Sequence, residues 1–330
     1  MSLQQPPPTE HGLVWAMILD RKGGGSRIGW EGLASWRPEQ GLLWVHFDIS
    51  EPAPEKWLEE KSGLELPIAA ALVAEDTRPR SAPSRNGLLV ILRGVNLNPG
   101  AEPDDMVSVR VWLERDRIFT ARRRQLRISG EIKAAIENGE GPSSPGEFLC
   151  VLVEGLVDRI GESVDELDEH IDALEEAAGE HNIMEVRGQL ADMRRQTAQL
   201  RRFLAPQRDA LDRLVRQPDA ILTEADNLAI REQADRVQRF LEDLDLIRER
   251  GMVSQEEVVS RLAFQQNQRI LVLSVLSAVF LPLTFLTGLM GMNVGGIPGA
   301  ETTLGFFAAS ALLVALGALI AVYFRRNKWF

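Results

Sequence analysis

Two stretches near the end of the chain constrain its fold more than any other feature. Ile270–Met290 reads ILVLSVLSAVFLPLTFLTGLM and Leu304–Phe324 reads LGFFAASALLVALGALIAVYF; neither carries a charge. About 20 helical residues cross the ~30 Å hydrocarbon layer of a bilayer, so each run is read as a transmembrane helix, with a buried pair of core helices as the alternative. The flanks set the orientation. Arg325, Arg326 and Lys328 lie in the tail 325–330, Arg261 and Arg269 precede the first span, and the loop 291–303 has no Lys or Arg. Basic residues favour the cytoplasmic side, so both termini are expected in the cytoplasm and the loop outside. Met1–Glu10 is polar and Pro-rich, without the basic and apolar regions of a cleaved signal peptide.

The rest of the chain reads as soluble. Up to residue 128 it forms a cytoplasmic α/β domain (1–128). Leu13–Asp20, Leu42–Ile49, Gly87–Val95, Met106–Leu113 and Arg117–Arg122 are rich in aliphatic and aromatic residues and bounded by turn formers, which predicts strands. Pro54–Gly63 and Pro67–Asp76 predict short helices that start at proline. Gly23–Gly29, GGGSRIG, lacks the Lys-Ser/Thr ending of a phosphate loop and is read as a turn. Residues 129–222 form a helical region in which Glu147–Glu180 and Ile183–Arg216 repeat apolar residues every three or four positions. Glu162–Glu180 is strongly acidic, either a solvated helix face or a surface that gathers cations. The single cysteine, Cys150, excludes an intrachain disulfide, and the four histidines show no spacing for tetrahedral zinc. A net charge of -11 argues against nucleic acid as a partner.

Thr223 followed by Glu224 and Asp226 predicts a helix start, and no proline recurs before Pro282. One helix is therefore expected from Glu224 to about Met290, within the segment 223–290, as a long stalk that continues into the first span. Projected at 100° per residue, Asn267, Ile270, Ser274, Ser277, Leu281, Thr284 and Gly288 share one arc. Val272, Val275, Leu276, Val279, Phe280, Leu283 and Leu286 lie opposite. A polar stripe in a membrane helix faces water or other helices, which leaves a pore lining and a packing face both open. On the cytoplasmic side the same arc holds Glu242, Asp245, Glu249, Met252, Glu256, Ser260 and Ala263. In a ring of identical helices these acids would stack into rings that favour cations. A homo-oligomer is thus expected.

The first span runs into GLMGMNVGGIPG, Gly288–Gly299. Gly291, Met292 and Asn293, between two C-terminal spans and ahead of a basic tail, resemble the Gly-Met-Asn signature of the CorA family of divalent metal transporters. The loop continues Val294-Gly295-Gly296-Ile297-Pro298-Gly299, without the aromatic residue and the acidic Glu-x-Met-Pro-Glu run usual in magnesium-type members. That variant is similar to the ZntB branch, which is associated with zinc. Pro282, Ala205–Asp209, Thr77–Arg80 and the RRNKWF ending agree with it.

The resemblance implies a CorA-like, funnel-shaped homopentamer in the inner (plasma) membrane of a bacterial cell. The first spans would line the pore and the second spans form an outer ring. Asn293 would place amide oxygens at the outer mouth, where they can hydrogen-bond a hydrated dication without stripping its water. Gly291 would let backbone approach the axis. A helix cap is the other reading of Asn293. Glu301, the one acid in the loop, would raise the local cation concentration or simply face solvent. The expected function is transport of a divalent cation, zinc first, and the branch it resembles is linked to proton-coupled uptake. A magnesium, cobalt or nickel channel of the CorA type is the runner-up. From another class comes a membrane-anchored coiled-coil scaffold or sensor without a pore. No catalytic residue or bound cofactor is expected; the divalent cation is cargo or regulator.

Overall fold

The computed structural model describes residues 11–75, 77–101, 105–177, 183–216, 221–292 and 302–326. The chain divides into two compact units, Met1–Gln255 and Glu256–Phe330.

The first unit is built on a seven-stranded sheet. Its strands are β1 (Leu13–Leu19), β2 (Gly25–Ile28), β3 (Leu42–Asp48), β4 (Arg80–Ser84), β5 (Gly87–Val95), β6 (Met106–Leu113) and β7 (Arg117–Arg122), in the order β2-β1-β3-β7-β6-β5-β4. Among the described residues only the β3–β7 pairing is parallel. Both faces are covered, which is why the central strands read as near-continuous apolar runs. One face carries Leu43, Val45, Phe47, Trp112, Phe119 and Ala121. It packs on Leu33 of α1 (Trp30–Ser35), Leu58 of α2 (Pro52–Glu60) and Leu72 of α3 (Leu66–Val73).

The other face meets the helical layer: α4 (Arg127–Glu137), α5 (Pro145–Ala177) and α6 (Ile183–Arg216). Trp44 lies edge-on to Phe148 of α5 at 5.0 Å, and Gln207 of α6 accepts the Arg93 N–H at 2.7 Å. On this face His46 is fully buried, with Nδ1 2.7 Å from Thr120 Oγ1 and the Trp15 ring stacked at 4.4 Å. Burial, then the charge of Arg122, lowers its pKa well below the usual imidazole value.

Helix α7 runs Glu224–Met290 and α8 runs Thr303–Arg326. The start of α7 is a reciprocal cap. Thr223 Oγ1 accepts the Asp226 N–H at 3.2 Å, and Asp226 Oδ2 accepts the Thr223 N–H at 2.8 Å. A Cβ on Gly146 would fall 2.2 Å from that carboxylate, so glycine is required where α5 passes it.

The sequence expectations for the long elements agree with this structure. Four short elements were not anticipated, one of them the 3₁₀ turn Pro38–Gln40. Helix α1 is a six-residue turn of helix; Gly25–Ile28 leaves the Gly-rich turn as an edge strand on β1; and β4 is an edge strand that tolerates Pro83. The first helix after the sheet also begins at Arg127, two residues ahead of the expected boundary at 129.

Candidate functional site

The membrane-type unit consists of the end of α7 and of α8. The apolar windows of these helices are 6% and 0% buried, unlike core helices of a soluble domain. Where the two helices touch, Val275 is buried and Val279, Leu283 and Leu286 are half-buried. On α8 the less exposed positions include Gly305, Ala309, Leu313, Leu316, Gly317 and Ile320, spaced by three or four. A Cβ on Gly317 would sit 3.7 Å from Leu283 Cδ1. Small residues at these positions let the helices approach, as in other membrane helix pairs. This α8 stripe was readable in the sequence as Gly305-x3-Ala309 and Gly317, and the sequence reasoning passed over it.

The predicted polar arc lies on the exposed part of α7, which also includes Val272, Leu276 and Phe280 from the opposite side. Asn267, Ser274, Ser277, Leu281, Thr284 and Gly288 are all exposed, Leu281 at 75%. Ser277 donates its hydroxyl hydrogen to the Leu273 carbonyl at 2.9 Å, and Thr287 does the same to Thr284 at 3.0 Å. Such back-bonding satisfies the hydroxyl donor and leaves oxygen lone pairs to accept from water. At the end of the helix the Gly291 N–H bonds the Thr287 carbonyl at 2.9 Å, and Met292 follows in a turn with its side chain about half exposed. Asn293 and Glu301 lie outside the described residues.

The acids of the α7 stripe divide. Glu242 and Glu249 are exposed, on the side of α7 away from its buried residues Leu241, Leu244 and Ile247. Glu256, in the second unit, is exposed as well. Asp245 is different: it pairs with Arg201 of α6 and, at 4.0 Å, with Arg248. The acidic run on α5 is partly structural too. Arg250 of α7 donates to Asp168 at 3.0 Å, to Glu175 at 2.6 Å and to Asp172. These carboxylates hold the Arg250 guanidinium more firmly protonated than usual. Nearby, desolvation, then Asp168, Asp165 and Glu242, raises the pKa of Asp243. Among the described residues no three His, Cys, Asp or Glu side chains are grouped to hold a metal ion within one chain.

A family model described as CorA-like Mg2+ transporter protein matches residues 39–326. The chain belongs to the CorA family. Among CorA relatives, the divalent cation transporter CmaX of Pseudomonas aeruginosa is 38% identical over 324 residues, 97% of each chain. The zinc transport protein ZntB of Pectobacterium atrosepticum is 37% identical over 318 residues, 96% of each. The solved structure of full-length CmaX superposes with a TM-score of 0.84 at 37% identity, covering 98% of this chain and 99% of that one. The α/β domain, the long helix and the two apolar C-terminal helices are therefore the CorA-type fold. With the family established, the two exposed apolar helices are membrane spans rather than a buried pair.

Proposed function

We propose that this protein moves divalent cations across the bacterial inner membrane through a homopentameric pore, with zinc as the preferred cargo. One observation carries the reading. In the C-terminal unit Val275, Val279 and Leu283 are the less exposed positions of α7, Leu283 lies against Gly317 of α8, and the arc from Asn267 to Gly288 is exposed. A ring of such subunits would turn the open arc inward and α8 outward, toward lipid. Hydroxyl and amide groups along it can bind a hydrated dication weakly enough to release it. Gly291, Met292 and Asn293 would form the outer mouth, with Glu301 beside it. Glu242, Asp245, Glu249 and Glu256 would line the cytoplasmic approach, Asp245 already partly neutralised by Arg201. Both termini are assigned to the cytoplasm by the basic flanks.

Zinc is favoured by the loop after Asn293 and by relatives named for zinc transport. Magnesium is the second reading, favoured by the description of the family model.

The test is metal uptake into proteoliposomes loaded with a fluorescent chelator. Zn²⁺ and Mg²⁺ are each offered to wild type and Asn293→Ala, with and without a proton gradient. The expected result is Zn²⁺ flux that exceeds Mg²⁺ flux, increases when protons enter alongside, and falls at least about tenfold in Asn293→Ala, the effect of losing ~1.4 kcal/mol at the mouth. Mg²⁺ flux without Zn²⁺ flux would replace the cargo assignment. A wild type that passes no metal would leave the family's fold serving only as an anchor or sensor.

A further inference from the structure

Helices α5 and α6 carry opposite charge. Along Pro145–Ala177 there are eleven acids and one arginine, whereas along Ile183–Arg216 there are eight arginines and four acids. The charges are also ordered. From Glu154 to Glu176, seven acids recur every three or four residues on one exposed face of α5. On α6, Arg187, Arg194, Arg201 and Arg208 recur every seventh residue, with Arg195 and Arg202 beside the middle two.

The two faces flank α7 on opposite sides. On one side Asp158 of α5 pairs with Arg236 at 2.7 Å, and Asp168 and Glu175 pair with Arg250 at 3.0 and 2.6 Å. On the other side Arg201 of α6 pairs with Asp245, and Arg194 donates to Gln255. Projected at 100° per residue, Arg236 and Arg250 fall to one side of the line Glu242–Leu246–Glu249–Val253, and Asp245 and Arg248 fall to the other. That line is open, with Leu246 54% and Val253 62% exposed. It therefore runs between an acidic wall and a basic wall.

The walls are level with each other. Burial, then the charges of Asp168 and Asp165, raise the pKa of Asp243, which puts Asp165 beside that residue. Arg201 meets Asp245, so Asp165 and Arg202 stand at about the same height on α7. Glu175 reaches Ser254 at 3.4 Å and Arg194 reaches Gln255, so Glu176 and Arg195 are level too. Neither wall is neutralised within the chain. Among the described residues Glu162, Asp165, Glu169 and Glu176 have no basic partner, and Arg187 and Arg202 have no carboxylate. A groove of about 310 Å³ lies between α6 and α7 at this height, lined by Arg201, Arg202 and Arg248 beside Ala198 and Ala205.

We propose that neighbouring subunits meet through these walls, the acidic face of α5 in one copy docking on the arginine face of α6 in the next. The inference rests on the ring reading above, in which the α7 stripe holding Glu242 and Glu249 faces the axis. In such a ring the two flanks of α7 are turned toward the neighbours. Rotation about the axis preserves height, so Asp165 and Glu169 come to Arg202, and Glu176 comes to Arg195. Contact between two different faces is what closes a ring, and pairing either flank with its own copy would set like charges together. These side chains are exposed, so the contact selects the neighbour and its register more than it adds stability.

The contact is tested with two differently tagged full-length copies, both Cys150→Ser, one carrying Asp165→Cys and the other Arg202→Cys. They are co-expressed, purified in detergent and treated with a short bismaleimide. Native mass spectrometry gives the ring size, and Zn²⁺ flux is measured on the same samples. A product bearing both tags is expected. Its yield should exceed at least about tenfold that of Glu154→Cys with Arg202→Cys, because Glu154 lies about 16 Å further along α5. Either cysteine alone should give little linkage of like to like. Adding Glu169→Lys and Glu176→Lys to the first copy should cut the yield at least about threefold, and Arg187→Glu with Arg195→Glu in the second should restore it. An intact ring with normal flux but no two-tag product would overturn the α5–α6 contact and leave the transport reading standing. Like-to-like links as abundant as unlike ones, or a link that charge reversal does not weaken, would overturn it as well. A monomer without flux would remove the ring reading and this contact with it.

Discussion

The two units use apolar residues in opposite ways. In the α/β and helical unit, Phe47, Phe119 and Phe148 are each no more than 1% exposed. In the C-terminal unit, Phe280, Phe285 and Phe306 are 61%, 69% and 69% exposed, on helices that are no less apolar. The first unit buries its apolar area within one chain and has the ordinary source of domain stability. The second cannot, and its exposed aromatic and aliphatic surface is stable only against lipid or other copies. The few polar groups there stand out for the same reason. In water a Ser or Thr on a helix surface carries no information, whereas on a membrane helix it marks contact with water or another helix.

The contrast can be broken most severely at the aromatic cores. Phe148→Ala should cost about 3–5 kcal/mol of unfolding free energy in denaturant titrations, because it leaves a cavity beneath Trp44. Phe285→Ala should change the same quantity by less than about 0.5 kcal/mol. Equal costs would mean that Phe285 is packed within the chain.

Next in size is Arg250→Ala, which leaves Asp168, Asp172 and Glu175 together on α5 without the cation they share. The arginine is partly exposed, so screening limits the loss to about 1–2 kcal/mol, and high salt should shrink it. In the membrane unit, Ser274→Leu or Thr284→Leu should lower metal flux about tenfold while leaving the oligomer intact on size exclusion. Gly146→Ala should cost about 1 kcal/mol by pushing the Asp226 carboxylate off the Thr223 cap, and Asp226→Ala should cost a similar amount.

The smallest effect is a pH slope. His46 is held neutral, with its folded pKa below the ordinary 6.5, so the unfolded chain binds more protons once the pH drops under that value. Its contribution is therefore complete above pH 6.5 and declines as the solution is acidified, by at most about 1.4 kcal/mol per pH unit. His46→Gln should flatten that part of the stability profile, measured by denaturant midpoints between pH 7.5 and 5.5.

How much of this was readable in advance depended on the range of the interactions. The bounds of α7 followed from Thr223, Asp226 and the long absence of proline, all local signals. Strands β3, β5, β6 and β7 were visible because burial on both faces makes them continuous apolar runs. Strand β4 was missed because its Pro83 and exposed residues read as loop, and only pairing with β5 makes it a strand. The polar arc of α7 is read from helical periodicity alone, and the structure adds that Leu283 lies against Gly317 of α8. The partners of Asp245 and of the α5 acids were not legible. Arg201 and Arg250 meet them through the packing of separate helices, which no local pattern encodes.

The central claim is that the open arc of α7 lines the cation path. It is tested most directly by single cysteines at Ser274, Ser277, Thr284, Val275 and Val279 in a Cys150→Ser background, each treated with a charged thiol reagent during Zn²⁺ flux. The account predicts block at Ser274, Ser277 and Thr284 and little effect at Val275 and Val279. Block at the two valines with the three polar positions unaffected would contradict it.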